Sequence, residues 1–431
     1  MVTITAVEAV DVRYPTSRML DGSDAMNPDP DYSAAYVVMR TNVAGLDGHG
    51  MTFTIGRGNE LCVAAIDSLA PLVIGASLEQ LTSDMAGLSR RLLGESQLRW
   101  VGPEKGVVHL AAAAVINAVW DLWGKHTGKP VWQLVAELEP EQLLSTLDLR
   151  HITDAVTHDE ALQMLHDMTR GKAERRARLE RDGYPAYTTS AGWLGYSDEK
   201  ILRLTGEARA AGWNAIKIKV GRSLPDDLRR CALIRDALGP SGRLMVDANQ
   251  VWEVDQAIEW IKELQRFDLW WVEEPVHPDD ILGHKKIIDA VGSIRIATGE
   301  HCHNRVMFKQ FLTAGAIDVV QADGCRLAGL SEAMAVLLLA AKYDRPVCPH
   351  AGGVGLCELA QHISMIDFLC FSGTWDERMT EHAAHLHEHF VAPIEIERGR
   401  YRVPRTAGLG LEMLPKSVAD HRFPDGAVWA R

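Results

Sequence analysis

Ala215-Ile-Lys-Ile-Lys-Val220, Arg243-Leu-Met-Val-Asp247, Leu269-Trp-Trp-Val-Glu273, Ile294-Arg-Ile-Ala-Thr-Gly-Glu300, Ile317-Asp-Val-Val-Gln-Ala-Asp323 and Arg345-Pro-Val-Cys-Pro-His350 read as short strands. Between them lie stretches of helical periodicity at Val254–Phe267, Pro278–Val291, Asn304–Ala314 and Leu330–Tyr343. A further amphipathic helix, capped by Ser197 and ending near Gly212, precedes the first run. Repeated strand–helix alternation demands a parallel sheet. A doubly wound sheet and a (β/α)₈ barrel both satisfy it.

The positions of the ionisable residues separate these two folds. The runs end on Lys217/Lys219, Asp247, Glu273, Glu300, Asp323 and His350, and from Lys219 onward the gaps are 28, 26, 27, 23 and 27 residues. Each gap is one strand plus one helix. On a barrel, equivalent strand ends converge on the C-terminal mouth, where barrel active sites lie. An open sheet would spread them along an edge. The spacing therefore favours a barrel with these groups ringing one pocket.

Their chemistry follows from that crowding. Asp247, Glu273 and Glu300 lie on consecutive strands, and three uncompensated carboxylates in a pocket repel. Solvation or salt bridges could relieve any one of them. A divalent cation relieves all three, and all-oxygen ligands suit Mg²⁺ or Mn²⁺. Lys217 and Lys219, two residues apart, share a strand face; Ile216, Ile218 and Val220 take the other. One lysine could hold a substrate carboxylate and the other, with a lowered pKa, act as a base; ion pairing or Schiff-base chemistry are the alternatives. Asp323 beside His350 reads as an acid/base pair, since an Asp on one ring nitrogen fixes the tautomer and supports the imidazolium.

The flanking sequence differs in character. Residues 1–60 look like strands and turns, with a strand at Tyr36–Thr41. Leu20-Asp-Gly-Ser-Asp-Ala-Met-Asn-Pro-Asp-Pro-Asp-Tyr32 has loop chemistry. Residues 60–138 are Ala- and Leu-rich and periodic, including a helix at Val107–Lys125, which points to a separate α+β domain. Residues 155–182 read as an inserted charged helix. A net charge of −13 without a Lys/Arg-rich block argues against nucleic acid or an anionic membrane as partner. No apolar run looks long enough to span a bilayer. Seven scattered cysteines without a CxxC pair suggest reduced thiols, and the start lacks a basic leader, so a cytoplasmic protein is expected.

Lys217-Ile-Lys219, Asp247-Ala-Asn249, Glu273-Glu-Pro275, Thr298-Gly-Glu300, Gln321-Ala-Asp323, Pro349-His350 and Ala118-Val-Trp-Asp-Leu-Trp-Gly-Lys125 together resemble the enolase superfamily, in its mandelate-racemase-like branch. The likeness spans essentially the whole chain. It implies an α/β fold: a modified TIM barrel, (β/α)₇β, with an α+β capping domain built from both termini. The expected division is 1–140 for the N-terminal capping part, 141–390 for the barrel with its insertion, and 391–431 for a segment completing the cap. Segments outside the general motifs, among them Gly183-Tyr-Pro-Ala-Tyr-Thr-Thr-Ser190 and Gly192-Trp-Leu-Gly-Tyr-Ser-Asp-Glu-Lys200, bear on substrate. The implied activity is dehydration of an acid sugar, with L-fuconate the first candidate.

By the same resemblance, Asp247, Glu273 and Glu300 would bind Mg²⁺, with Lys217 beside the substrate carboxylate. Lys219 would take the α-proton, and His350, held by Asp323, would protonate the departing 3-hydroxyl. Asn249, Glu381, Gly22, Ser23, Asp24 and Tyr32 would meet the substrate, with Trp193 the tryptophan closest to that role. Gly324–Gly329 and His301–Asn304 depart from the pattern expected in the family and touch the pocket wall. A homo-oligomer is expected by analogy with similar barrels. His301-Cys302-His303 and the run His382, His385, His387 and His389 lack zinc-site spacing and are read as decoys. A racemase, epimerase or other aldonate dehydratase shares the first chemical step, and a non-catalytic homologue would be expected to have lost a ligand or base.

Overall fold

Three antiparallel strands open the computed structural model, which describes residues 1–430. They are β1 (Ile4–Arg13), β2 (Ser33–Thr41) and β3 (Gly48–Thr54), in the order β1-β2-β3. Against β3 lies the helix Gly106–Thr127. Gly50 permits that approach, because a Cβ there would sit 2.1 Å from the Ala114 carbonyl oxygen. The helix also packs on the barrel helix Gly329–Lys342. It is covered on both sides, so it is apolar nearly all round. This corrects one expectation: the helix is long and apolar enough to cross a bilayer, but it is mostly buried inside the fold.

The barrel strands are β4 (Tyr184–Gly192), β5 (Ala215–Lys219), β6 (Arg243–Asp247), β7 (Leu269–Glu273), β8 (Arg295–Thr298), β9 (Val319–Val320) and β10 (Thr380–His382). Parallel pairing runs from β4 to β9 in sequence order. A short stretch at Val347 then bridges Val320 in parallel and stands as the seventh strand. β10 pairs in parallel with β4, Thr380 opposite Ala186, and the Glu381 amide donates to the Pro349 oxygen at 3.4 Å. The ring closes as (β/α)₇β. The first barrel strand lies after the insertion, which folds as two helices, His158–Asp167 and Lys172–Asp182, rather than one. The runs ending at Glu300 and Asp323 are shorter as strands than the sequence suggests. At Gly299 the backbone turns to φ +146°, where a side chain would strike Gln321.

The two-residue period sorts the side chains. Ile216, Ile218, Val246, Val272 and Ile296 are buried among the surrounding helices. Ala215, Met245, Trp271, Ala297, Val319, Cys348 and Tyr187 pack together inside the ring and plug its lower half. The next inward positions towards the mouth are polar. At the C-terminal end, β11 (Ile396–Glu397) and β12 (Arg400–Tyr401) form a hairpin that adds to β4. Bridges from Gly408 to Pro130 and from Arg422 to Val12 then carry the chain back to the N-terminal elements.

Candidate active site

Each of the eight strands delivers a polar residue to one mouth. In ring order they are Thr189, Lys217 with Lys219, Asp247, Glu273, Glu300, Asp323, His350 and Glu381. Above them is a cavity of about 250 Å³. Its floor includes Lys219, Asn249, Glu300, Asp323, His350 and Glu381; its roof includes Gly22, Asp24, Tyr32 and Phe53 from the N-terminal elements.

Oxygens of Asp247, Glu273 and Glu300 lie within 4.8 Å of one another, and all three residues are buried. Burial and the charge of Asp247 push the Glu273 pKa well up. Burial raises Asp247 too, but Lys219 and Lys217 outweigh it and hold it at about 2. Burial also raises Glu300; among the described residues its Oε2 has no hydrogen-bond partner, and the buried Gln321 amide and Asn249 Oδ1 are likewise unpartnered. Unmet buried polar atoms are costly, and this donor set fits a divalent cation with oxygen ligands. A second group, Glu274, Glu300 and His301, adjoins the first. His301, expected at the pocket wall though not as a zinc ligand, stands at the site: its Nδ1 is 3.0 Å from Glu274 Oε1 and it lines the cavity.

The backbone at this mouth is unusual. Asn249, Gln250 and Glu274 have φ of +46°, +68° and +42°. Non-glycine residues in this region carry strain and occur where a site over-determines them. The turn after β6 lets the Asn249 amide donate to Asp247 Oδ1 at 2.9 Å.

The two lysines have different surroundings. Lys217 is fully buried, with Nζ 2.6 Å from Glu273, 2.8 Å from Glu381 and 3.6 Å from Asp247. Burial opposes its charge, but Glu273 and Glu381 prevail and the pKa is raised. It does not line the cavity; in this arrangement it sits behind the carboxylates. Lys219 lines the cavity, its Nζ 2.6 Å from Asp247 Oδ2. Burial opposes the Lys219 ammonium as well, but Asp247 together with Glu300 and Asp24 more than offsets it, so this pKa is raised rather than lowered as the sequence suggested.

Across the ring, His350 Nδ1 lies 2.8 Å from Asp323 Oδ2. Asp323 Oδ1 accepts from the Cys325 and Arg326 amides at 2.6 and 3.1 Å. Burial disfavours the imidazolium, yet Glu300 and the Asp323 bond raise the His350 pKa to about 10. The Asp323 bond fixes the Nδ1–H, and Glu300, 3.5 Å from Nε2, favours the charged ring over the competing Gly352 amide, which donates to Nε2 at 3.3 Å.

The roof loop is pinned to the barrel. The Leu194 amide donates to the Ser23 oxygen at 2.9 Å, and the Tyr196 hydroxyl donates to Asp21. Gly22, with φ +84°, lies against the Tyr32 ring. Asp24 lines the cavity; burial raises its pKa against the pull of Lys219. The Ser23 side chain does not line it, because its hydroxyl donates to the Pro28 oxygen at 2.9 Å. Trp193 lines the wall, its ring 5.0 Å from that of His385. Sequence reasoning missed Arg57, Asn27 and Thr189, all of which line the cavity; Arg326, in the 324–329 run expected at the pocket wall, lines it too. Thr189 obeys the strand-end rule and would have been found had its strand been placed. Among the described residues, no group of three metal-ligating side chains includes the later histidine run.

Comparison with known proteins agrees with this architecture. Residues 27–136 match the mandelate racemase/muconate lactonizing enzyme N-terminal domain, and residues 200–417 match the enolase C-terminal domain-like family. Mitochondrial enolase superfamily member 1 of Xenopus laevis is 52% identical, covering 99% of this chain and 97% of its own length. L-galactonate dehydratase of Hypocrea jecorina is 50% identical, covering 99% of this chain and 96% of its own. The crystal structure of the human mitochondrial enolase superfamily member 1 superposes with a TM-score of 0.98 at 50% identity, covering 99% of this chain and 98% of that one. The chain belongs to the enolase superfamily, with the N-terminal capping domain and barrel of its mandelate racemase/muconate lactonizing enzyme members.

Proposed function

We propose that this chain is an Mg²⁺-dependent acid-sugar dehydratase whose first substrate is L-fuconate, giving 2-keto-3-deoxy-L-fuconate and water. The observation that carries the reading is the pairing of Lys219 and the Asp323–His350 dyad on different sides of one cavity, beside three clustered carboxylates. Enolase-superfamily sites use a Lys or His base with one or two Mg²⁺ ions. Asp247, Glu273 and Glu300 would hold Mg²⁺, which supplies stabilisation of the negative charge developing on the substrate carboxylate.

The chain's own groups then divide the work. Lys219, after releasing its own ammonium proton to solvent, takes the proton α to the carboxylate as the neutral amine. Lys217 keeps a positive charge beneath the same carboxylates. His350, charged and oriented by Asp323, gives its proton to the 3-hydroxyl as the C3–O bond breaks. The enol that remains becomes the 2-keto product. Asn249, Glu381 and Asp24 offer polar atoms to the hydroxyls, and Tyr32 and Trp193 wall the cavity. The likeness to a chain named L-galactonate dehydratase favours a closely related second substrate, since L-fuconate is L-galactonate without its 6-hydroxyl.

The test is a screen of acid sugars with Mg²⁺ and again with EDTA, detecting 2-keto-3-deoxy acids. Metal-dependent turnover of L-fuconate above other aldonates is expected. A preference for L-galactonate moves the substrate and keeps the mechanism. Exchange of the α-hydrogen with solvent but no dehydration of any acid sugar would replace the reading with a racemase or epimerase.

A further inference from the structure

Asp323 can orient His350 only if the loop that carries it is fixed, and much of that fixing comes from the other domain. Asn117, on the helix Gly106–Thr127, is fully buried. Its Nδ2 donates to the Gly324 oxygen at 3.1 Å, and its Oδ1 accepts from the Leu330 amide at 2.9 Å. One side chain thus grips both ends of the 324–330 loop. The fit is close: at Gly329, φ +70°, a Cβ would lie 2.8 Å from Asn117 Oδ1. Thr52 Oγ1 adds a bond to the Cys325 oxygen at 3.0 Å. Inside the loop, the Cys325 and Arg326 amides point back at Asp323 Oδ1, so the position of residue 324 sets that of the carboxylate.

We infer that Asn117, a capping-domain residue outside the cavity, is a positioning residue for the Asp323–His350 pair. It acts through the 324–330 loop and touches neither substrate nor reacting atoms. Its importance to turnover rests on the dehydratase reading; its importance to the loop does not. The chain of contacts runs from Asn117 to Gly324 and Leu330, then to the Cys325 and Arg326 amides, then to Asp323 and His350. Small misplacements of a catalytic group cost large factors in rate.

The experiment compares wild type with Asn117→Ala, Asn117→Asp and Trp120→Phe. Asn117→Asp keeps the acceptor for the Leu330 amide and loses the donor to the Gly324 oxygen; it also serves if the alanine variant does not fold. Trp120→Phe is a control on the same helix: it removes the bond from Nε1 to Ser331 Oγ, 3.0 Å, outside the 324–330 loop. Amide hydrogen exchange by mass spectrometry is read on the peptide covering 323–330, together with kcat and KM for dehydration. The expected result is faster exchange of that peptide in Asn117→Ala, with kcat down at least about tenfold and KM within about twofold. Asn117→Asp should fall between, and Trp120→Phe should match wild type in both readouts. Unchanged exchange in the Asn117 variants, or faster exchange with wild-type kcat, overturns the inference. A wild-type protein that dehydrates no acid sugar overturns the functional reading instead, while the exchange measurement still decides whether Asn117 holds the loop.

Discussion

Replacing Asp323 with asparagine keeps the shape of the side chain and removes one charge, and the surroundings dictate how the amide must sit. Oδ1 is held by the Cys325 and Arg326 amides at 2.6 and 3.1 Å, so the new NH₂ has to face His350 Nδ1, where a carboxylate oxygen now lies 2.8 Å away. Two donors would then oppose each other unless the ring surrenders its Nδ1 proton. In the native site Glu300 and then Asp323 raise the His350 pKa against burial and favour the charged ring, and Asp323→Asn removes the second of these causes. If the pKa falls to the ordinary value of about 6.5, only about one tenth of the rings are charged at pH 7.5. The loss of acid alone is therefore about tenfold, and the wrong tautomer adds to it. Because the group acts in its protonated form, Asp323→Asn should recover as pH falls and lose activity as pH rises through its lowered pKa, where wild type holds. The assay is the initial rate of 2-keto acid formation across the neutral and alkaline range at saturating Mg²⁺. A variant within twofold of wild type at pH 7.5, with its alkaline limb unmoved, would refute the role assigned to the pair.

Other substitutions probe separate parts of the molecule. Glu300→Gln should weaken Mg²⁺ binding by about tenfold or more, through the lost ligand charge; an unchanged dissociation constant by calorimetry removes Glu300 from the ligand set. Gly22→Ala places a Cβ 2.3 Å from the Tyr32 hydroxyl oxygen at φ +84°, so it should displace the roof and raise KM about tenfold with a smaller change in kcat; unaltered KM would show that the roof contributes no binding. His362 is buried and neutral, its pKa held at about 3 by burial, and its Nδ1 accepts from the Trp132 amide at 3.1 Å. Its folded pKa lies below its unfolded one, so the stability it contributes is whole above about pH 6.5 and drains away as pH falls towards 3, by up to about 1.4 kcal/mol per unit. Chemical denaturation of His362→Gln at decreasing pH should show a shallower acid loss than wild type, and an identical slope would contradict this.

The barrel was legible because its information is periodic. A strand followed by a helix takes a nearly constant length of chain, so Asp247, Glu273, Glu300, Asp323 and His350 announced their convergence by spacing alone. The roof has no such period. Arg57 and Asn27 reach the cavity from loops whose placement depends on how the N-terminal sheet docks, and nothing in their local sequence encodes that. β4 was hard to place because a charged two-helix insertion separates it from the preceding domain, and the seventh strand is reduced to a single bridge at Val347. The lysine chemistry was half legible. Spacing put Lys217 and Lys219 on one face, but only the three-dimensional contacts revealed that Lys217 is enclosed by three carboxylates while Lys219 faces the cavity.

The seam where β10 meets β4 has a consequence for how the chain reaches its folded state. Thr380 pairs with Ala186, so the ring cannot close until almost two hundred residues have been made beyond β4. During that interval β4 keeps an unpaired edge, rich in tyrosine and threonine, that invites association with other chains. Contacts so far apart in sequence form slowly, since loop closure must precede their reward. Early stabilisation of the β4–β5 pair, and prompt arrival of the β12 hairpin at residues 184 and 185, would then govern the yield of native protein more than the stability of the finished barrel does.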